Sequence, residues 1–163
     1  MSLTTFAIAP ATTADDLAAV ARLFRAYAAA LPVDLGYQGF DAELASLPGR
    51  YAPPGGALLI ARAPDGAPLG CVALRPLEAG ACEMKRLYVA PGGRGLGLGR
   101  TLVAAVIAAA ERIGYREMRL DTLPGMTAAI ALYRATGFGP VAPYYPTPLA
   151  GTLFFARPLG AAR

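Results

Sequence analysis

Apolar side chains at Leu17, Val20, Leu23, Phe24 and Tyr27 fall on one helical face, which predicts a helix over residues 13–30. Thr12 or Thr13 can cap its start, and Asp15 and Asp16 put negative charge in the first turn, where the helix dipole favours it. A short strand over 5–9 precedes it. A second, shorter helix is expected within 36–47, opened by Asp41 and closed before Pro48 and Gly49, and the proline-rich residues 51–56 read as a loop. Strands follow over 57–63 and 69–77, joined by the Pro64-Asp65-Gly66 turn, and over 81–89, where Pro91 and Gly92 stop the run. Helix-forming residues then run from Leu98 to Ile113, and Gly114 ends them. The rest reads as a strand over 117–122, a helix through Tyr133 ending at Gly137, and two strands over 141–145 and 152–156. No linker or shift of composition divides this order, so residues 1–163 are expected to form a single domain.

The stretch between the third of these strands and its helix, EMKRLYVAPGGRGLGLGRT over 83–101, carries the candidate chemistry. Glycines at 95, 97 and 99 leave backbone N–H groups unshielded just where a helix begins, and Arg94 and Arg100 flank them. Such a loop is an anion cradle suited to a pyrophosphate, with the positive end of the helix dipole behind it. It is not a nucleotide phosphate loop, because Gly99 is followed by Arg100 and Thr101 and Arg94 stands where the first glycine is required. Nor is it a dinucleotide fingerprint. Starts at Gly93, Gly95 or Gly97 put Leu98, Arg100 or Leu102 at the last glycine position.

The pattern that fits is Arg-x-x-Gly-x-Gly over 94–99, which resembles the acetyl-CoA pyrophosphate loop of the GNAT superfamily of N-acetyltransferases. Two flanking segments extend the resemblance: Leu87-Tyr88-Val89 is similar to the strand whose main chain pairs with the pantetheine arm, and LYRATGF over 132–138 resembles the second family signature. The resemblance implies an α/β (α+β) fold with a central mixed, mainly antiparallel sheet flanked by helices. The strands ending at Val89 and Thr122 would splay into a notch for acyl-CoA, and the two helices before the second strand would lie near the acceptor entrance. It also implies that Leu87, Tyr88, Val89, Arg94, Gly95, Leu96, Gly97, Leu98, Gly99, Arg100 and Tyr133 contact acetyl-CoA. The chain departs from the family at Met126, seven residues before Tyr133, where many members carry an asparagine, and Thr127 is the candidate substitute.

Acetyl transfer to an amine needs an unprotonated nitrogen, a donor for the oxyanion and a proton for the departing thiolate. By the resemblance, Tyr133 is the acid, the Leu87 N–H is the oxyanion donor, and Glu83, eleven residues before Arg94, stands at the offset of the general base in one branch of the family. Strict alternation would put Glu83 on the same side of its strand as Leu87, facing the notch, while pairing with Lys85 or Arg86 would make it a weaker base. Tyr37, Phe40, Arg50, Tyr51, Asp121, Tyr144 and Tyr145 lie on segments expected to rim the acceptor side. With no acidic groove in prospect for a polycationic tail, a small amine is the expected acceptor. The alternative in another class is an acyl-CoA-binding sensor or partner subunit without catalysis.

Composition narrows the field. The chain has no histidine and two cysteines, which removes histidine-based nucleophilic chemistry and most zinc sites, so no metal is expected. A register centred on 76–80 puts Cys71 opposite Lys85 or Arg86, so a disulfide between Cys71 and Cys82 is not expected. The net charge of +4 is dispersed and mostly arginine, its longest basic run being Lys85-Arg86, which argues against nucleic-acid binding. The longest apolar run of the main helix, 102–110, is well short of the ~20 residues of a bilayer span. With no basic stretch ahead of an apolar one at the start, a cytoplasmic protein that folds alone or as a homodimer is expected.

Overall fold

The computed structural model describes residues 5–160, apart from the side chain of Tyr37. Thr13 starts helix α1 (Ala14–Ala30) with a reciprocal cap, its side chain accepting from the Asp16 N–H while Asp16 accepts from the Thr13 N–H. The Asp16 carboxylate also meets Arg62 at 2.8 Å. This guanidinium and the cap N–H groups of Thr12 and Thr13 hold its carboxyl down at about 2. The expected helix over 36–47 is instead two short pieces, a 3-10 turn (Leu35–Gln38) and α2 (Phe40–Ala45). Gly39 joins them at φ +71°, a conformation that breaks a continuous helix and that glycine adopts without strain.

Strands β1 (Ala7–Pro10), β2 (Ala57–Arg62), β3 (Pro68–Pro76), β4 (Ala81–Val89), β5 (Glu117–Thr122), β6 (Gly139–Pro140) and β7 (Leu153–Pro158) form one sheet in the order β1-β2-β3-β4-β5-β7-β6. Every neighbouring pair is antiparallel except β4 with β5. Helices α3 (Leu98–Ile113) and α4 (Thr127–Ala135) complete the elements. One face of the sheet packs Leu59, Val72, Leu74, Cys82 and Met84 against Leu98, Leu102, Val103 and Val106 of α3. The other packs Leu58, Ile60, Cys71 and Ala73 against Val20, Leu23 and Phe24 of α1. Each fully buried aliphatic side chain here contributes about 1.5–3 kcal/mol by leaving water.

The β4 strand carries an irregularity that alternation does not foresee. Its register with β3 runs Arg75↔Glu83, Leu74↔Met84, Ala73↔Lys85 and then jumps to Cys71↔Tyr88, with Arg86 at φ +60°. An extra residue has been inserted, so the facing of the side chains inverts across it. Cys82 and Met84 point to α3, Lys85 and Arg86 both turn to the α1 and α2 side, and Leu87 and Val89 return to α3. Glu83 and Leu87 therefore lie on opposite faces, contrary to strict alternation. The bulge also corrects the cysteine register: Cys71 faces Tyr88, not Lys85 or Arg86, and Cys82 faces Pro76. Both are buried unpaired thiols, as expected.

Residues 141–145 do not form the expected strand. Pro140, Pro143, Pro146 and Pro148 remove backbone donors along the segment, and strand pairing stops at Pro140. Aromatic packing orders it instead, with Tyr144, Tyr145 and Phe154 in mutual edge contacts at centroid distances of 5.2–5.5 Å. Among the described residues no helix is long and apolar enough to cross a membrane.

Candidate active site

Strands β4 and β5 pair over three positions, Ala81↔Glu117, Cys82↔Met118 and Glu83↔Arg119, and then separate, each continuing to Val89 and Thr122 with no further pairing between them. Main-chain groups of both strands are thereby left without a ladder partner inside the protein, a demand that an extended ligand can meet. A cleft partly open to solvent occupies this gap. Met84 to Leu87 of β4 and Leu120 to Leu123 around the end of β5 form its walls. Met126, Ala129 and Tyr133 close it from α4, and Tyr27, Leu31, Val33, Leu35 and Gln38 close it from α1 and the turn that follows.

The glycine loop leads into α3 beside this gap. Gly95 and Gly97 sit at φ +79° and +73°, and a Cβ on either would meet no protein atom within 4 Å. Their side-chain positions face open space that a ligand backbone can use. Gly97 is the N-cap of the sixteen-residue α3 and brings no side chain to its first N–H groups, so those donors and the helix dipole face outward between the exposed Arg94 and Arg100. Leu96 is exposed, whereas Leu98 is buried in the core and Gly99 packs against Leu132, so those two anchor the loop.

Tyr133 is buried, lines the cleft and packs edge-on to Phe138 with ring centroids 5.9 Å apart. Burial first, and then its neighbours Tyr27 and Asp121, push its phenol above the ordinary value and so keep the proton on it. Asp121 also lines the cleft and accepts a hydrogen bond from the Tyr145 hydroxyl. Glu83 lies outside the lining. The strand pairing that is still intact on both sides of it holds it away from the gap, and Arg75 at 2.7 Å and the Tyr144 hydroxyl occupy its buried carboxylate.

The other expected acceptor residues divide. Arg50 donates to the Pro76 carbonyl, Tyr51 is buried edge-on to Phe24, and neither lines the cleft. Phe40 lies under the Arg86 guanidinium at 5.2 Å, while the side chain of Tyr37 is outside the described residues. Met126 lines the cleft, but Thr127, the expected substitute donor, is exposed at the start of α4 and does not. Tyr88 turns away to Tyr27 at 6.5 Å on the α1 face.

Two residues that sequence reasoning passed over, Lys85 and Arg86, belong to the cleft. Arg86 is 3% exposed and donates to both Glu43 oxygens at 2.9 and 3.1 Å and to Gln38 at 2.9 Å. The rings of Phe40 and Tyr27 lie 5.2 and 5.8 Å from its guanidinium carbon. Burial disfavours its charge, yet the Glu43 carboxylate outweighs that and leaves it fully ionised. The signal in the sequence was the adjacent basic pair in a strand whose one other charged residue is Glu83, and its partners Glu43 and Gln38 are remote along the chain.

The family model for acetyltransferase (GNAT) matches residues 20–138. An uncharacterized N-acetyltransferase of Schizosaccharomyces pombe is 43% identical over 141 residues, covering 86% of each chain. An acetyltransferase of the GNAT family from Staphylococcus aureus superposes with a TM-score of 0.79 at 19% identity, covering 95% of this chain and 99% of that one. A phosphinothricin acetyltransferase from Sinorhizobium meliloti, solved in complex with acetyl-CoA, superposes with a TM-score of 0.72 at 21% identity, covering 96% and 90%.

Removing Arg86 would leave the Glu43 carboxylate without its bidentate partner and the bulge without its anchor. Arg86→Met is expected to lower the unfolding free energy by about 3–5 kcal/mol in urea denaturation. Arg50→Met, which loses one exposed hydrogen bond, should cost about 1 kcal/mol or less. Equal losses in the two variants would show that the bulge does not depend on the pair.

Proposed function

The chain belongs to the acetyltransferase (GNAT) family and is an N-acetyltransferase, and from that premise we propose that it moves the acetyl group of acetyl-CoA to a primary amine of a small molecule by direct transfer in a ternary complex. The observation that carries this reading is the gap between β4 and β5, lined by a buried phenol, with an uncapped glycine loop following β4 in the chain. The residues fit the donor. The N–H groups from Gly95 to Gly99 and the α3 dipole receive the pyrophosphate, Arg94 and Arg100 add charge, and the edge of β4 that faces the gap over Leu87 to Val89 meets the pantetheine arm.

Bound acetyl-CoA supplies an acetyl thioester. On the other side of the gap Asp121 accepts a proton from the acceptor ammonium and passes it to solvent, so that the nitrogen lone pair can form the new C–N bond. Asp121 then takes the second nitrogen proton as the tetrahedral intermediate collapses to the amide. The Leu87 N–H stabilises the oxyanion, and as the C–S bond breaks the Tyr133 phenol gives its proton to the thiolate, to be replaced from solvent. Glu83 has a supporting part here: by holding Tyr144 it places the neighbouring Tyr145 on Asp121. An acyl-enzyme route finds no nucleophile in the cysteines. Neither lines the cleft, burial raises the Cys71 thiol, and burial together with Glu117 and Glu83 pushes Cys82 up to about 12.

Gly97→Asp adds a negative side chain at a positive φ inside the cradle and is expected to abolish CoA binding by calorimetry while the protein stays folded. Unchanged affinity would remove the loop from the site. Tyr133→Phe should keep CoA affinity and lower turnover by ~10²-fold. Turnover equal to wild type would end the acid assignment.

The two carboxylates separate by pH profile. Asp121→Asn should depress kcat/KM most below the pKa of the acceptor amine and recover above it, where the amine is already neutral. Glu83→Gln should give a smaller deficit that is the same at every pH, as a positioning residue would. A pH-dependent loss in Glu83→Gln, with none in Asp121→Asn, would return the base to Glu83.

A further inference from the structure

Lys85 is the only lysine in a sequence with fifteen lysines and arginines. It is 8% exposed, on the cleft wall where β4 and β5 have parted. A buried ammonium needs acceptors for three N–H groups and a counter-charge. Among the described residues Lys85 has one hydrogen-bond acceptor, Gln38 Oε1 at 3.2 Å, and that oxygen also takes Arg86 at 2.9 Å. The nearest carboxylate, Glu83, stands at 4.0 Å and is engaged by Arg75 at 2.7 Å and by Tyr144. Glu43 is taken by both arms of Arg86. Burial, with Arg86 and Arg75 beside it, brings the lysine down to about 8 in spite of Glu83 and the more distant Asp121. The cavity thus holds an under-coordinated cation on one wall and the Asp121 carboxylate on another.

We infer that the acceptor amine also carries a carboxylate, which Lys85 receives while Asp121 meets the amino group. The inference rests on the transferase reading above and names the substrate class for it: an amino acid. A carboxylate at Lys85 supplies the missing acceptors and counter-charge, and the same compound presents a cation to Asp121. A diamine or a plain alkylamine would satisfy Asp121 and leave Lys85 under-coordinated. Leu31, Val33 and Leu35 add an apolar wall beside Gln38, suited to a non-polar substituent.

The test is a thiol-release assay on the twenty L-amino acids, β-alanine and 4-aminobutyrate, each against its carboxamide. The acid should exceed its carboxamide by at least ~10-fold in kcat/KM. Lys85→Met should raise KM for the acid by ~10-fold with kcat within ~2-fold, and leave the carboxamide unchanged. Equal rates for acid and carboxamide would overturn the inference, as would a Lys85→Met loss that is the same for both. A second readout needs neither turnover nor a folded variant. Protein labelled at lysine Cε has a single lysine signal, and with CoA present the N-acetyl amino acids should move it while their carboxamides do not. No movement with any N-acetyl acid would overturn the inference. If none of these amines released thiol, the small-amine acceptor reading would fall, and the lysine signal would still decide the carboxylate.

Discussion

The extra residue in β4 and the arginine that holds it organise the whole site. A left-handed conformation at a non-glycine residue costs about 1–2 kcal/mol and persists only where surroundings over-determine it. Here the surroundings are Glu43, Gln38, Phe40 and Tyr27, all from the segments before β2, gripping the Arg86 guanidinium. The ion pair therefore does two things at once. It docks α2 and its preceding turn onto the sheet, and it sets on which side of β4 each later side chain emerges.

The parting of β4 from β5 depends on a second arrangement, on the far side of the gap. β5 keeps a full antiparallel ladder with β7, from Glu117↔Pro158 to Thr122↔Leu153, so it is rigid without β4. The proline-rich segment before β7 cannot extend that sheet and folds back as an aromatic cluster on Phe154. Its two tyrosines then reach across to carboxylates on the two separated strands, Tyr144 to Glu83 and Tyr145 to Asp121. The gap is bridged by hydroxyls beside it and stays open at its centre.

Charge follows the same division. Around the cleft, Arg86 and Glu43 neutralise each other, as do Arg75 and Glu83, and these pairs are structural. What remains in the lining is one lysine and one aspartate with less complete partners, and groups of that kind are the ones a ligand can engage with gain.

Local chemistry legible in the sequence settled a good deal. The capped α1, the Gly114 stop of α3, the strand over 117–122 and the glycine loop all appear where residue types placed them, because caps, turns and helix starts are decided within a few neighbouring residues. Leu87 and Tyr133 were legible through the motifs around them and Asp121 only through its place at the end of a strand, and all three line the cleft. Lys85, Arg86 and the true placement of Glu83 were not. Their settings depend on Glu43, Gln38 and Tyr144, between 43 and 61 residues away along the chain. Period-two alternation holds only while a strand is regular, and a bulge stabilised by so distant a partner inverts it without leaving a local trace. The sequence by itself determined most of the elements and the glycine loop ahead of α3, since both are short-range. Which face each β4 side chain occupies, and hence which charges meet in the cleft, was decided only when the remote carboxylate closed on Arg86.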